Sequence, residues 1–406
     1  MSSRHYPAAI GWCLVAVSAV IYYLCAFQFD AGRSDFYYLA DAFLHGRTWL
    51  TFAPGPNDVI VIGDRYYVPF APFPAIAAMP LVAIIGPVAA DHAEPIINSL
   101  LAAATVGLCW WFVGRVGVSR LRDRFWLTLL FGFSTQILWI TTRGGVWHTG
   151  QLIATTLTFG CLLEVWGKRR AWLIGLLAGA AFLTRAPLAF AIPFYALLLL
   201  PGVTERPVSA FGEYITRARR AVPWGAWGLL ALGVIPSIVF FFAYNQLRFG
   251  TPWESGYALA TLPPFLEALR EQGLFSLAHV SMNLDYLFFH LPKLIDQPPF
   301  FKPDGLGLSI FLTSPGLFYA IRSDWRRAVS WLLFGATVAT LVPSLLYYGG
   351  GWLQYGYRYA LDSIPFVIAL CAIAAATRGP IGLGWRILIL FGVAVMFAGV
   401  YWAYGI

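Results

Sequence analysis

The chain has 406 residues, 59% of them hydrophobic and 11% charged. A soluble domain carries roughly a quarter charged residues, so the composition argues against a soluble fold and for an integral membrane protein. The formal net charge is +8. The basic residues are scattered among loops, which reads as membrane orientation rather than nucleic-acid affinity.

The first apolar segment, about residues 8–28, follows Arg4 and is long for a signal peptide. It reads as an uncleaved anchor. The stretch GRSDFYYLADAFLHGR, 32–47, comes next. Ser34 fits a helix N-cap, Phe36, Leu39, Ala40, Phe43 and Leu44 share one stripe, and Gly46 closes the pattern. This predicts a short amphipathic helix on the membrane surface with Asp35 at its first position. Segment 73–90 follows Pro72 and contains Pro74, Pro80, Gly86 and Pro87. Further apolar segments run at 95–114, 125–140, 149–166, 171–184, 187–201, 225–245, 307–321, 328–347, 361–377 and 384–404. A single helix over 171–201 would be about 46 Å long against a hydrocarbon core of roughly 30 Å. Two short helices with a turn at Thr184-Arg185-Ala186-Pro187 are therefore expected. Residues 275–295 have the pattern of another amphipathic surface helix. All five cysteines lie in apolar segments without a CxxC pair, which predicts neither a disulfide framework nor a thiolate metal site.

Charge sets the topology. If 73–90 does not cross, the runs at 114–124, 167–170, 216–220 and 322–327 all face the cytoplasm. That places 17 of the 27 Lys and Arg inside, with 5 of the 19 acids, and leaves 10 bases and 14 acids outside. Segment 73–90 is accordingly read as re-entrant or lying on the surface. The expected fold is an all-α integral membrane protein, a single polytopic domain over 1–406 with about eleven transmembrane helices. Its N-terminus is inside and its C-terminus outside, with external loops at 29–94 and 246–306.

Four unusual regions then share the outer face: 29–94, TTRGGVWHTGQ at 141–151, the turn around Arg185, and 246–306 together with YYGGGWLQYGYRYALDSIP at 347–365. Several motifs in this order resemble the GT-C membrane glycosyltransferases, the superfamily of lipid A aminoarabinose transferases and protein O-mannosyltransferases (glycosyltransferase family 39). They are Asp35 followed by Tyr37, Tyr38 and Ala40; Gly46 before Trp49; the cluster Tyr66, Tyr67, Pro69, Pro72 and Pro74; AFLTRAP at 181–187; YNQLRFGTPWESGY at 244–257; and GYRYALDSIPF at 356–366. The resemblance implies transfer of a sugar from a polyprenyl-phosphate donor to a lipid, glycan or protein acceptor, at the extracytoplasmic face of the plasma or inner membrane, without nucleic acid.

Two departures stand out. Relatives carry a second acid in the second external loop, and here that loop offers Arg143, Trp147 and His148 instead. No cofactor is expected and a divalent metal is doubtful. The family lysine before the proline cluster is replaced by Val68, and Arg65 stands in for it.

Such chemistry needs a base for the acceptor's proton and cations for the leaving phosphate. Asp35 is the expected base, with Asp58 and Asp64 in reserve, whereas Asp41 reads as solvated. Arg185 is the leading phosphate ligand, because an arginine at membrane depth is costly without a partner or ligand. Arg358, Arg143, His148 and Arg65 follow. Tyr38, Tyr66, Tyr67, Glu254, Tyr257 and Tyr357 are expected to contact substrate. With one base and no second carboxylate nucleophile, a single displacement would invert the anomeric carbon. The rivals are a transporter or flippase of lipid-linked sugars and an O-antigen polymerase or ligase. The broken segments 73–90 and 184–187 both lie in the first half, whereas transporters often break helices in both halves.

Overall fold

The computed structural model describes residues 5–26, 34–53, 55, 58–204, 222–297, 300–351 and 353–403. Arg4, Arg206 and the basic run at 216–220 lie outside them. The described chain is mostly helical, with two small antiparallel hairpins. Among the described residues, five helices are long and apolar enough to cross a membrane: α1 (His5–Ala26), α5 (Glu94–Val116), α11 (Trp224–Phe249), α15 (Ala328–Leu346) and α17 (Leu383–Ala403). The pair α6 (Leu121–Phe133) and α7 (Ile137–Arg143), bent by 43°, makes a sixth if counted as one span.

Other apolar segments are helical but short. The predicted span 307–321 is no continuous helix. It forms one turn, α14 (Ile310–Thr313), and then a 3-10 stretch at Pro315–Arg322. Pro315 cannot donate to the helix ladder, and Ser314 before it takes a non-helical φ of −144°. The predicted surface helix 275–295 also stops short. It runs as 3-10, α (α13, Val280–Leu284) and π turns over 277–289, and the chain then enters a hairpin pairing Lys293 with Lys302. Breaks therefore occur in both halves of the chain, not only in the first.

The region 34–94 departs from the expected helix resting on the membrane. α2 (Asp35–Leu44) forms over the predicted residues, but it buries Asp35, Phe36, Tyr37, Leu39, Ala40 and Ala42 on more than one side. Its neighbours are α3 (Phe73–Ile85) and α4 (Pro87–His92), separated by Gly86 at φ 80°. Phe36, Leu39 and Ala40 pack with Val68, Ala75 and Val82 in a core of their own. Ser34 holds the N-cap position without a side-chain capping bond, and its N–H donates to Asp91 at 2.8 Å. Asp41 pairs weakly with His45 and Arg47 at the surface.

The main core joins α5, α6, α7, α8 (Val146–Val165) and α16 (Ile364–Thr377) through Phe112, Phe131, Phe159 and Phe366. α9 (Ala171–Phe182) crosses α11 at small residues. A Cβ on Gly175 would collide with the Leu230 carbonyl, and one on Gly233 with the Trp172 carbonyl. The Gly175–Gly179 and Gly233–Ser237 spacings are the small-xxx-small pattern that lets membrane helices approach closely.

Candidate active site

A cavity of about 330 Å³ opens between the region 34–94, the breaks at 144–145 and 184–187, and the segments 255–275 and 343–359. The sequence builds its wall at each break.

The first break places Arg185. α9 ends at Phe182, Arg185 is extended (φ −147°, ψ 116°), and the chain resumes as a 3-10 stretch at Ala186–Ala191 before α10 (Ile192–Leu198). Pro187 has no N–H for the carbonyl four residues back. That carbonyl, Leu183 O, instead accepts from Phe73 N–H at 3.0 Å, which ties the break to the proline-rich wall at Pro69 and Pro72. Arg185 Nε donates to both carboxylate oxygens of buried Asp362, at 2.7 and 2.9 Å. Among the described residues no hydrogen bond to its two terminal nitrogens is seen, and Arg185 lines the cavity.

The second break places Trp147. Gly144 and Gly145 take φ of 59° and 83° between α7 and α8. The Gly145 N–H donates to Glu94 Oε2 at 2.8 Å, and Thr149 Oγ1 donates to Glu94 Oε1 at 2.8 Å. A buried carboxylate thus holds the N-terminus of α8, where the helix dipole favours it.

The third segment places Arg358. A 3-10 turn, Arg358–Asp362, leads into α16. Gln354 Oε1 accepts the Arg358 N–H at 2.9 Å, and Gln151 Nε2 donates to the Arg358 carbonyl at 3.2 Å. Arg358 is 5% exposed. Among the described residues no carboxylate lies within ion-pair distance of it. Its guanidinium stands 4.9 Å from the Tyr359 ring centre, and Arg185 stands 5.2 Å from the same ring. One tyrosine is shared by two cations, each contact contributing about 0.5–2 kcal/mol. Burial pulls the Arg358 guanidinium down from its ordinary range, yet arginine stays charged in proteins.

Tyr257, Tyr347, Tyr348 and Phe275 continue the aromatic wall. Tyr347 contacts Tyr257, Phe275 and Tyr359 at ring distances of 6.2, 5.7 and 6.2 Å. Burial pushes the Tyr257 hydroxyl up to about 12, so it stays protonated and able to donate. Arg248 also reaches the cavity, but its guanidinium is bound to Val68 O, Asn245 Oδ1 and Ser255 O, which marks a brace. Away from the charges, Phe70, Phe182, Phe241, Leu262 and Leu266 make the wall apolar.

Of the residues singled out in the sequence, Arg185, Arg358, Tyr257 and Asp58 line this cavity. Asp35 is 8% exposed and outside the wall, although its neighbour Phe36 is in it. Arg143 is half-buried at the end of α7. His148 is buried one residue beyond Trp147, with Nδ1 2.6 Å from Gly144 O. Arg65 sits exposed over the Trp49 ring at 4.2 Å. Tyr38 bonds Asp91 at 3.3 Å, and Tyr66 and Tyr67 belong to the hairpin β1 (Ile60–Ile62)–β2 (Arg65–Tyr67). Asp64 lies in that hairpin's turn. Glu254 accepts the Gly256 N–H at 2.6 Å, and the Tyr357 hydroxyl lies in the core 3.1 Å from Asn283 Oδ1 and Ser344 O. Arg248 and Asn245, which the sequence places with Tyr257 on the acceptor side, also line the cavity, whereas neither Trp147 nor Asp362 has a role assigned from sequence. A signal for Asp362 was present: an arginine at membrane depth needs an acid, and Asp362 is the one acid at the edge of the apolar run 361–377.

Among the described residues, no three His, Cys, Asp or Glu side chains gather as a metal site would require. No protein-family model, curated protein sequence or solved structure matches the chain.

Proposed function

We propose that the protein is a membrane glycosyltransferase that moves a sugar from a polyprenyl-phosphate donor to an acceptor hydroxyl, with the cavity on the extracytoplasmic side. One observation carries the reading: Arg358 and Arg185 flank a single tyrosine ring in a cavity whose wall is otherwise largely apolar and aromatic, with Asp58 and the braced Arg248 also in it. Arg358 is buried with a long bond from Nε to the Gly351 carbonyl at 3.4 Å and no carboxylate within ion-pair distance among the described residues, and such a buried cation is costly, by several kcal/mol, unless an anion arrives. A lipid phosphate brings that anion on an apolar chain, and the aromatic rings suit a sugar face. As the bond to the sugar breaks, charge grows on the phosphate, and guanidinium groups already in place stabilise it. The open side is assigned from the charge asymmetry of the loops.

The test is sugar transfer by the purified protein in lipid vesicles, supplied with a panel of polyprenyl-phosphate hexoses and pentoses and a membrane lipid extract as acceptor. Release of free polyprenyl phosphate is the expected result. Arg358→Gln should lower it by about 10²–10³-fold, the usual effect of losing one group that stabilises developing charge.

A second reading has its own support. Helices are broken in both halves of the chain, at 134–136 and 183–191 and again at 314 and 358–363, as in transporters that bind substrate at discontinuous helices. Movement of the intact donor across the bilayer, with no polyprenyl phosphate released, would favour a lipid-linked sugar transporter.

A further inference from the structure

We propose that Asp58, rather than Asp35, takes the acceptor's proton in this transfer. The assignment rests on the transferase reading above.

Four observations support it. Asp58 is the one carboxylate, among the described residues, in the cavity wall. The Asp58 backbone is fixed: its N–H donates to Thr261 O at 2.8 Å, and Thr261 N–H donates to Val59 O at 2.8 Å. Asp58 also adopts a left-handed φ of 55°, a conformation that is uncommon outside glycine and that recurs at functional sites. Finally, it is not spent in an ion pair. Asp362 is committed to Arg185, whereas Asp58 has no arginine or lysine within ion-pair distance among the described residues.

The groups that face Asp58 are the Trp147 indole, Arg358, Tyr257 and Tyr348. Burial raises its carboxyl above the ordinary range, against the Trp147 hydrogen bond and the Arg358 charge. A carboxylate with raised proton affinity is a better base than one on an open surface. Asp35, the first residue of α2, is not among the residues of the cavity wall.

The step balances as follows. The acceptor oxygen attacks the anomeric carbon as its proton passes to the Asp58 carboxylate. The bond from that carbon to the phosphate oxygen breaks, and its electron pair stays on the phosphate beside Arg358 and Arg185. Asp58 later returns the proton to water.

The experiment compares wild type, Asp58→Asn, Asp58→Glu and Asp35→Asn in the vesicle assay, with farnesyl phosphate binding measured alongside. Asparagine tolerates left-handed backbone well, so Asp58→Asn removes the base without straining the turn. Asp58→Asn should lose turnover by about 10²–10⁴-fold, the range for a positioned proton acceptor. It should keep its affinity for farnesyl phosphate, and Asp58→Glu should recover part of the rate. Three outcomes would overturn the assignment while leaving a transferase: near-normal turnover by Asp58→Asn, loss of farnesyl phosphate binding together with turnover, or a silent Asp35→Asn beside an active Asp58→Asn. A wild type that releases no polyprenyl phosphate from any donor would overturn the transferase and the base together.

Discussion

At the scale of the residue, the Arg185–Asp362 pair has the sharpest energetic consequence. Asp362 is fully buried and the Arg185 side chain is 16% exposed. Removing one partner leaves the other uncompensated, which costs about 3–5 kcal/mol, whereas replacing both with apolar groups of similar size is often neutral. Asp362→Asn should therefore lower the thermal midpoint in detergent strongly, and the double variant Arg185→Met with Asp362→Leu should recover most of the loss. A midpoint for Asp362→Asn equal to that of the wild type would mean that the pair contributes little to stability. The sequence made Arg185 legible because its surroundings are apolar. Its partner was less so: Asp35 and Glu254 were equally plausible acids, and contact between residues 177 apart leaves no mark in local pattern. Asp58 ranks only as a reserve base in the sequence for the same reason. It lies in no helical stripe, and only folding shows that the chain bends it into the wall.

At the scale of the element, breaks matter more than helices. The turn at 184–187 was readable because one helix over 171–201 was too long for a bilayer and carried Pro187. The span at 307–321 was misread because hydropathy counts apolar length and ignores what Ser314-Pro315 does to backbone bonding. The segment after Phe289 was misread in a similar way, and there side chains take over from periodicity. His290 sits between Asp285 and Asp304, with ring nitrogens 2.9 and 3.0 Å from carboxylate oxygens. Burial disfavours its cation, but the two acids outweigh that and raise its proton affinity above the usual histidine range. This contribution to stability is thus complete below the ordinary histidine pKa and disappears as pH rises through the raised value. Amide hydrogen exchange over 285–306 should show protection falling across that interval. His290→Gln should flatten the dependence, and an unchanged profile in the variant would exclude the histidine as its source.

At the scale of the whole molecule, the apolar composition makes a multi-pass helical protein evident, while the count of about eleven spans is not confirmed: among the described residues five helices, or six with the bent pair, are long and apolar enough to cross, and four further apolar helices are shorter. Runs of hydrophobic residues do not reveal where Gly and Pro divide them, or which short helices stack beneath others. The crossing of α9 and α11 shows what does hold the assembly. Gly175 and Gly233 lie against facing backbone, with no room for a side chain. Gly175→Leu should separate the helices and abolish a cooperative unfolding transition in detergent. Leu176→Ala, at a position 46% exposed, should leave it nearly unchanged.

The tie between Arg185 and Asp362 also has a consequence in time. A ribosome adds about 5–20 residues per second, so the 177 residues between the two take on the order of ten to thirty seconds to make. Through that interval the arginine is already at the bilayer and its acid does not yet exist. A nascent chain interrupted before residue 362 carries a cation with nothing to answer it, a form that a membrane quality-control protease could distinguish from the finished protein. The bond that arranges the cavity is in this sense also a mark of completion.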